Sequence, residues 1–69
     1  MIQLVVSNSR GHVLDTTNVK SMRLGRRRIY GIIKQLPFAT YKRKNNHFTL
    51  YRKNGKPLVC LEVVNVPEV

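Results

Sequence analysis

The pattern of apolar and polar positions changes its period twice along the chain. Residues 2–7 form a mostly apolar, β-branched run that is typical of a strand. The turn-forming residues 8–11 separate this run from a weaker strand at 12–16, which predicts a hairpin. Thr16, Thr17 and Asn18 follow, and their side chains are of the kind that cap a helix N-terminus.

The middle of the chain has a helical period between Val19 and Leu36. Its apolar positions recur at three- and four-residue spacing and are Met22, Ile29, Ile32, Ile33 and Leu36. Gly25 lies on the same stripe, where it would let a helix approach a sheet closely. Gly25 and Gly31 each cost such a helix about 1 kcal/mol relative to alanine, so the helix can instead begin near Leu24. Pro37 ends it in either case.

The last third alternates between apolar and polar positions over residues 38–44, 47–53 and 56–64. Asn45-Asn46 and Asn54-Gly55 separate these segments, and Asn-Gly is the strongest short hairpin signal because a type I′ turn needs positive φ at both positions. The sequence therefore predicts an α+β fold, a small single domain over residues 1–69. An antiparallel sheet with a C-terminal three-stranded meander packs against one helix, in the order ββαβββ, or βαβββ without the first hairpin. Residues 65–69 are predicted to be a frayed tail.

Two-residue turns set the register of the meander, so its two faces can be assigned. The predicted cross-strand pairs are Lys53–Lys56, Tyr51–Leu58, Leu50–Val59, Phe48–Leu61, His47–Glu62, Lys44–His47, Arg43–Phe48 and Tyr41–Leu50. The apolar face, predicted to meet the helix, carries Ala39, Tyr41, Phe48, Leu50, Val59, Leu61 and Val63. The opposite face is basic and includes Thr40, Lys42, Lys44, His47, Thr49, Tyr51, Lys53 and Lys56. Arg43 falls on the apolar side near a strand end, from which its long side chain can reach outward.

Charge adds a strong functional constraint to this fold. The chain has 13 Lys+Arg against 3 Asp+Glu, a formal net charge of +10. Between residues 16 and 61 there are twelve basic residues and no acidic one. So many unpaired cations repel one another in a small domain, and a polyanionic partner relieves that repulsion. Nucleic acid is the most common such partner, with an acidic protein or a membrane surface as competitors.

Two groups of side chains are candidates for contacts with phosphate. Arg23 and the run Arg26-Arg27-Arg28 lie at or near the predicted helix start, where cations oppose the helix dipole and so are not explained by local stability. The second group lies on the basic face of the meander, where Tyr51 can stack on a base. The predicted nucleic-acid-binding residues are Arg23, Arg26, Arg27, Arg28, Lys42, Lys44, Tyr51, Lys53 and Lys56. DNA and RNA, single and double strands, all remain open, and a merely solubilising surface is the competing interpretation.

Catalytic chemistry has weaker support. The chain has no P-loop, no GxGxxG, no CxxC and no paired carboxylates. His12 and His47 could form a metal-free RNase site, but incidental histidines explain them better, and Cys60 is expected to be a half-buried strand residue. We therefore predict a non-catalytic nucleic-acid-binding regulator or accessory factor with no metal and no cofactor. The first alternative is a small inhibitor or adaptor that docks on an acidic protein, and the second is a small RNase toxin.

The N-terminal segment and the lengths of the apolar runs bear on location. The N-terminus lacks the basic region and long apolar stretch of a signal peptide. No apolar run approaches the roughly 20 residues that span a bilayer. We expect an intracellular, cytoplasmic protein with no membrane partner. Because the core is small, a homodimer that pairs through Met1–Val6 is a further expectation.

Overall fold

The computed structural model describes residues 1–67 and has two layers, one helix against one sheet. The elements in chain order are β1 (Ile2–Asn8), β2 (Val13–Val19), α1 (Met22–Lys34), β3 (Thr40–Lys44), β4 (His47–Tyr51) and β5 (Pro57–Asn65). The five strands form one antiparallel sheet in the order β2-β1-β5-β4-β3. The predicted α+β fold and the ββαβββ order are confirmed.

β1 lies inside the sheet, paired with β2 on one side and with β5 on the other. It has no free edge, so the predicted dimer contact through Met1–Val6 is not available to strand pairing. Beyond β5, the Val66 amide donates to the Met1 carbonyl at 2.7 Å, and the Met1 amino group donates to the Val66 carbonyl at 3.0 Å. The prediction that fraying begins at residue 65 is therefore wrong, and its last two positions, 68 and 69, lie outside the described residues.

The start of α1 differs from the prediction. Ser21 is the N-cap, and its Oγ accepts a hydrogen bond from the Leu24 amide at 3.1 Å. The predicted cap residues 16–18 instead extend β2, because they pair in register with β1. Their side chains suit either role, and the long-range pairing decides between them. At the other end, the amide of Gln35 donates to the carbonyls of Ile32 and Ile33, so the helix ends before Pro37.

The core lies between α1 and the three central strands. Its buried side chains are Leu4, Ile29, Phe48, Leu50, Leu61 and Val63. Gly25 brings the helix against β5, because a Cβ at this position would lie 2.7 Å from Cγ1 and 2.9 Å from Cγ2 of Val63. The close approach that the sequence indicated for Gly25 is confirmed. Gly31 has no such contact, since a Cβ there would meet nothing within 4 Å.

The β4–β5 turn is longer than predicted. The Arg52 amide donates to the Lys56 carbonyl and the Gly55 amide to the Arg52 carbonyl, both at 2.9 Å, and Gly55 has φ +83°. This is the pattern of a three-residue loop with a single left-handed glycine. The register shifts after Leu50, so Tyr51 lies opposite Pro57. The predicted pairs Lys53–Lys56 and Tyr51–Leu58 are therefore wrong, and Lys53 lies in the turn.

The remaining predicted pairs of the meander are confirmed. They are Leu50–Val59, Phe48–Leu61, His47–Glu62, Lys44–His47, Arg43–Phe48 and Tyr41–Leu50. The β3–β4 turn has two residues as predicted, but only Asn45 has positive φ, at 55°, so it is not a type I′ turn.

Candidate nucleic-acid interface

The solvent-facing side of α1 carries a cluster of cations that we call the helix basic surface. Its members are all exposed: Arg23, Arg27, Arg28 and Lys34 lie on the helix, and Lys20 lies just before the N-cap Ser21. None of their side chains has a hydrogen bond or ion pair within residues 1–67. Like charges four residues apart, as at Arg23 and Arg27, destabilise a helix slightly, so intramolecular stability does not account for the cluster.

The position of the arginine run corrects the sequence prediction. Arg26, Arg27 and Arg28 are the fifth to seventh residues of α1, in the middle of the helix rather than at its start. Arg23 instead lies in the first turn, which contains no acidic residue. Arg23 is therefore the arginine whose positive charge opposes the helix dipole, because the dipole acts mainly on charges in the first and last turns.

Arg26 differs from its two neighbours because it is half-buried. Its Nη1 donates to Oδ1 of Asn46, in the β3–β4 turn, at 2.9 Å. This bond holds the hairpin against the helix, so Arg26 has a structural role that the sequence did not reveal. Of the three consecutive arginines, Arg27 and Arg28 are the two whose side chains point into solvent.

A groove separates the helix basic surface from β2. It has a volume of about 500 Å³ and is lined by Asn18, Val19, Lys20, Leu24, Arg27 and Arg28. Leu24 is 44% exposed, so the wall of the groove is apolar while its rim is cationic. Lys20, Leu24 and Lys34 were absent from the predicted site, although the helical period alone places Leu24 and Lys34 on the outer side of α1.

Arg43 sits on an aromatic cluster between α1 and the hairpin. Its Nη1 donates to the hydroxyl oxygen of Tyr30 at 3.0 Å and its Nε to the carbonyl of Asn45 at 2.8 Å. Its Cζ lies 5.4 Å from the ring centroid of Phe48, which Tyr30 meets edge-on at 5.3 Å. Arg43 is exposed, but instead of reaching outward its guanidinium is held in these contacts on the helix side of the sheet.

The sheet face opposite α1 has its predicted cations at the β3 edge. Lys44 lies beside His47, which faces Glu62 on β5. Lys42 Nζ lies 5.7 Å from the ring centroid of Tyr51, so this predicted pair is brought together. The predicted residues Lys53 and Lys56 lie instead around the β4–β5 turn. The centre of the face is apolar or acidic, with half-buried Val5, Cys60 and Val64 around Glu62.

The two histidines do not form a joint site. His12 precedes β2, where its carbonyl accepts a bond from the Asn8 amide, whereas His47 begins β4. Three strand spacings and about three residues along the strands separate them, which is about 17 Å between backbones. No single phosphate can be contacted by both imidazoles at that separation.

Comparison of the chain with models of protein families, with curated proteins and with solved structures gave no match. Within residues 1–67, no helix has the length and apolar character needed to cross a membrane.

Proposed function

We propose that this protein is a non-catalytic nucleic-acid-binding protein, a small regulator or accessory factor, that contacts phosphates chiefly through the helix basic surface. One observation carries the proposal. Four exposed cations share the outer side of one helix, a fifth, Lys20, lies just before its N-cap, and no carboxylate within residues 1–67 pairs with them. A cytoplasmic location, where nucleic acid is accessible, forms part of the same proposal.

The strength and salt dependence of binding follow from the number of contacts. Each phosphate that a Lys or Arg neutralises releases counterions, and the slope of log K against log salt is about −0.9 per contact on a duplex. Five contacts predict a slope near −4.5, which is about a 500-fold loss of affinity from 50 to 200 mM salt. Lys42 and Lys44 lie on β3, at the edge of the sheet farthest from β2. They add phosphate contacts only if the nucleic acid reaches around this edge.

The test is a titration of labelled DNA and RNA, as duplexes and as the matched single strands, at about 50 and 200 mM salt. The informative variant is Arg27→Gln/Arg28→Gln, and the matched control is Arg10→Gln/Arg52→Gln, which removes the same charge from two exposed turns. We expect the first variant to lose about 1.8 units of slope and at least tenfold in affinity. The control should stay within about threefold of the unmodified protein.

Two results would count against the proposal. Absence of salt-dependent binding to all four nucleic acids would exclude it. Equal losses in the two charge-matched variants would show that net charge alone attracts the polyanion and that α1 is not the contact surface.

A second candidate function, an adaptor or inhibitor that docks on another protein, is favoured by the free edge of β2. Val13 and Leu14 at this edge are 61% and 59% exposed, and Asp15 is the one charged residue of the strand. The β3 edge, by contrast, carries three consecutive cations, which discourage strand pairing. An unprotected edge can accept a strand from a partner. Retention of a single acidic protein in a pull-down after nuclease treatment would favour this function over the first.

A further inference from the structure

Of the two glycines in α1, only Gly25 is explained by packing within the protein. Gly25 is buried, and Val63 leaves no room for a side chain there. Gly31 is exposed, its φ is not positive, and an added Cβ would meet no atom within 4 Å. Glycine is a poor helix former, so its presence at an open, ordinary helical position has no reason inside the molecule.

The surroundings of Gly31 indicate what approaches it. Residues three and four apart are neighbours on a helix surface. The neighbours of Gly31 are therefore Arg27 and Arg28 on one side and Lys34 and Gln35 on the other, and all four are exposed. Gly31 thus leaves a patch of bare helix backbone that is bounded by three members of the helix basic surface.

A bare patch of this kind changes how near a ligand can come. Any other residue would hold a ligand away from the helix by at least the thickness of its side chain, whereas glycine admits it to contact with the backbone. Gly31 lies in the last turn of α1, where the Gln35 amide donates to Ile32 and Ile33 rather than to the Gly31 carbonyl. A carbonyl does not attract a phosphate, so the attraction must come from the surrounding cations. Two guanidinium groups and an ammonium group around one position without a side chain match a phosphate.

The shape of the surface favours a duplex over a single strand. The helix has 13 residues, about 20 Å of a rigid convex ridge. Single-strand binding depends on aromatic platforms, but the helix basic surface has no aromatic member, and Tyr30 nearby is packed against Phe48.

We infer that a backbone phosphate of a nucleic-acid duplex seats on α1 at Gly31, between Arg27, Arg28 and Lys34. The inference rests on the proposed function and adds to it the contacting element and the form of the nucleic acid.

The test fills the patch without changing charge. Gly31→Gln and Gly31→Ala are compared with Thr16→Gln, which adds bulk at an exposed position of β2 away from the helix basic surface. Duplex affinity is measured for DNA and for RNA at about 150 mM salt, together with Tm. We expect Gly31→Gln to weaken duplex binding by about tenfold or more, while Thr16→Gln stays within about twofold. Gly31→Ala should raise Tm by about 4–8 °C because it removes the glycine penalty.

The outcomes separate this inference from the proposed function. If Gly31→Gln binds both duplexes within about threefold of the unmodified protein, no phosphate seats there, and the proposed function still stands if Arg27→Gln/Arg28→Gln weakens binding. If the unmodified protein binds neither duplex, both are wrong. If the glutamine variant does not fold, the alanine variant provides the test. Its added methyl group is expected to lower duplex affinity at least threefold. Undiminished binding of this variant would show that no phosphate binds at Gly31.

Discussion

The contact between Gly25 and Val63 makes a quantitative prediction about how α1 is held on the sheet. In Gly25→Ala the new methyl would lie 2.7 and 2.9 Å from the two γ-carbons of Val63. Val63 is 2% exposed, and its strand is paired on both sides, so it has little freedom to move. Overpacking of this kind costs about 1–3 kcal/mol. Alanine returns about 1 kcal/mol of helix propensity, so the net loss of stability is about 0–2 kcal/mol.

Gly31→Ala provides a matched control in the same helix. It gains the same propensity, about 1 kcal/mol, but meets no neighbouring atom. The propensity term cancels in the difference between the two alanine variants. That difference is therefore the overpacking cost alone, about 1–3 kcal/mol in favour of Gly31→Ala.

The assay is equilibrium unfolding in urea, followed by far-ultraviolet circular dichroism, for both variants and for each in a Val63→Ala background. Removing the γ-carbons should relieve the overlap and bring the two alanine variants to nearly equal stability. If Gly25→Ala is already as stable as Gly31→Ala with Val63 in place, the close contact does not limit the helix position and the reasoning is refuted.

Three further predictions concern the ends and sides of the helix and use the same unfolding assay. Ser21→Ala removes the N-cap acceptor and should cost about 1 kcal/mol, and an unchanged midpoint would contradict this. Arg26→Gln should lose the hydrogen bond to Asn46 and destabilise the protein by about 1 kcal/mol. Its nucleic-acid affinity should stay within about threefold of the unmodified protein, and a tenfold loss would show that Arg26 contacts phosphate. Tyr30→Phe removes the acceptor for Arg43 and should cost about 0.5–1.5 kcal/mol, and no measurable loss would show that this bond contributes nothing.

Local sequence signals were sufficient for most of the meander. Two asparagines between alternating segments set the β3–β4 register, and that register correctly placed Tyr41 opposite Leu50 and Arg43 opposite Phe48. The strict alternation of apolar positions then predicted which face of the sheet the helix covers, because one face of such a sheet is buried against the core. The helical stripe around Ile29 predicted the layer that covers it.

The features that were mispredicted depend on contacts distant in sequence or on backbone detail. Thr16 to Asn18 suit a cap or a strand, and pairing with β1 decides the matter. The β4–β5 turn has one left-handed glycine instead of two left-handed residues, which displaced Lys53 from the basic face. The role of Arg26 could not be predicted either, because its partner Asn46 lies twenty residues away and no local pattern links them.

The place of β5 in the sheet has a consequence for the order in which the protein can fold during its synthesis. β5 is the last of the five described strands to be synthesised, yet it fills the gap between β1 and β4 and supplies Leu61 and Val63 to the core. Until β5 arrives, the β1–β2 hairpin and the β3–β4 hairpin cannot join into one sheet. The apolar stripe of α1 then stays exposed to water. Such long-range closure makes folding slow for a chain of this size. This part of the chain should therefore stay unfolded, with its cations exposed to ribosomal RNA, until β5 has left the ribosome.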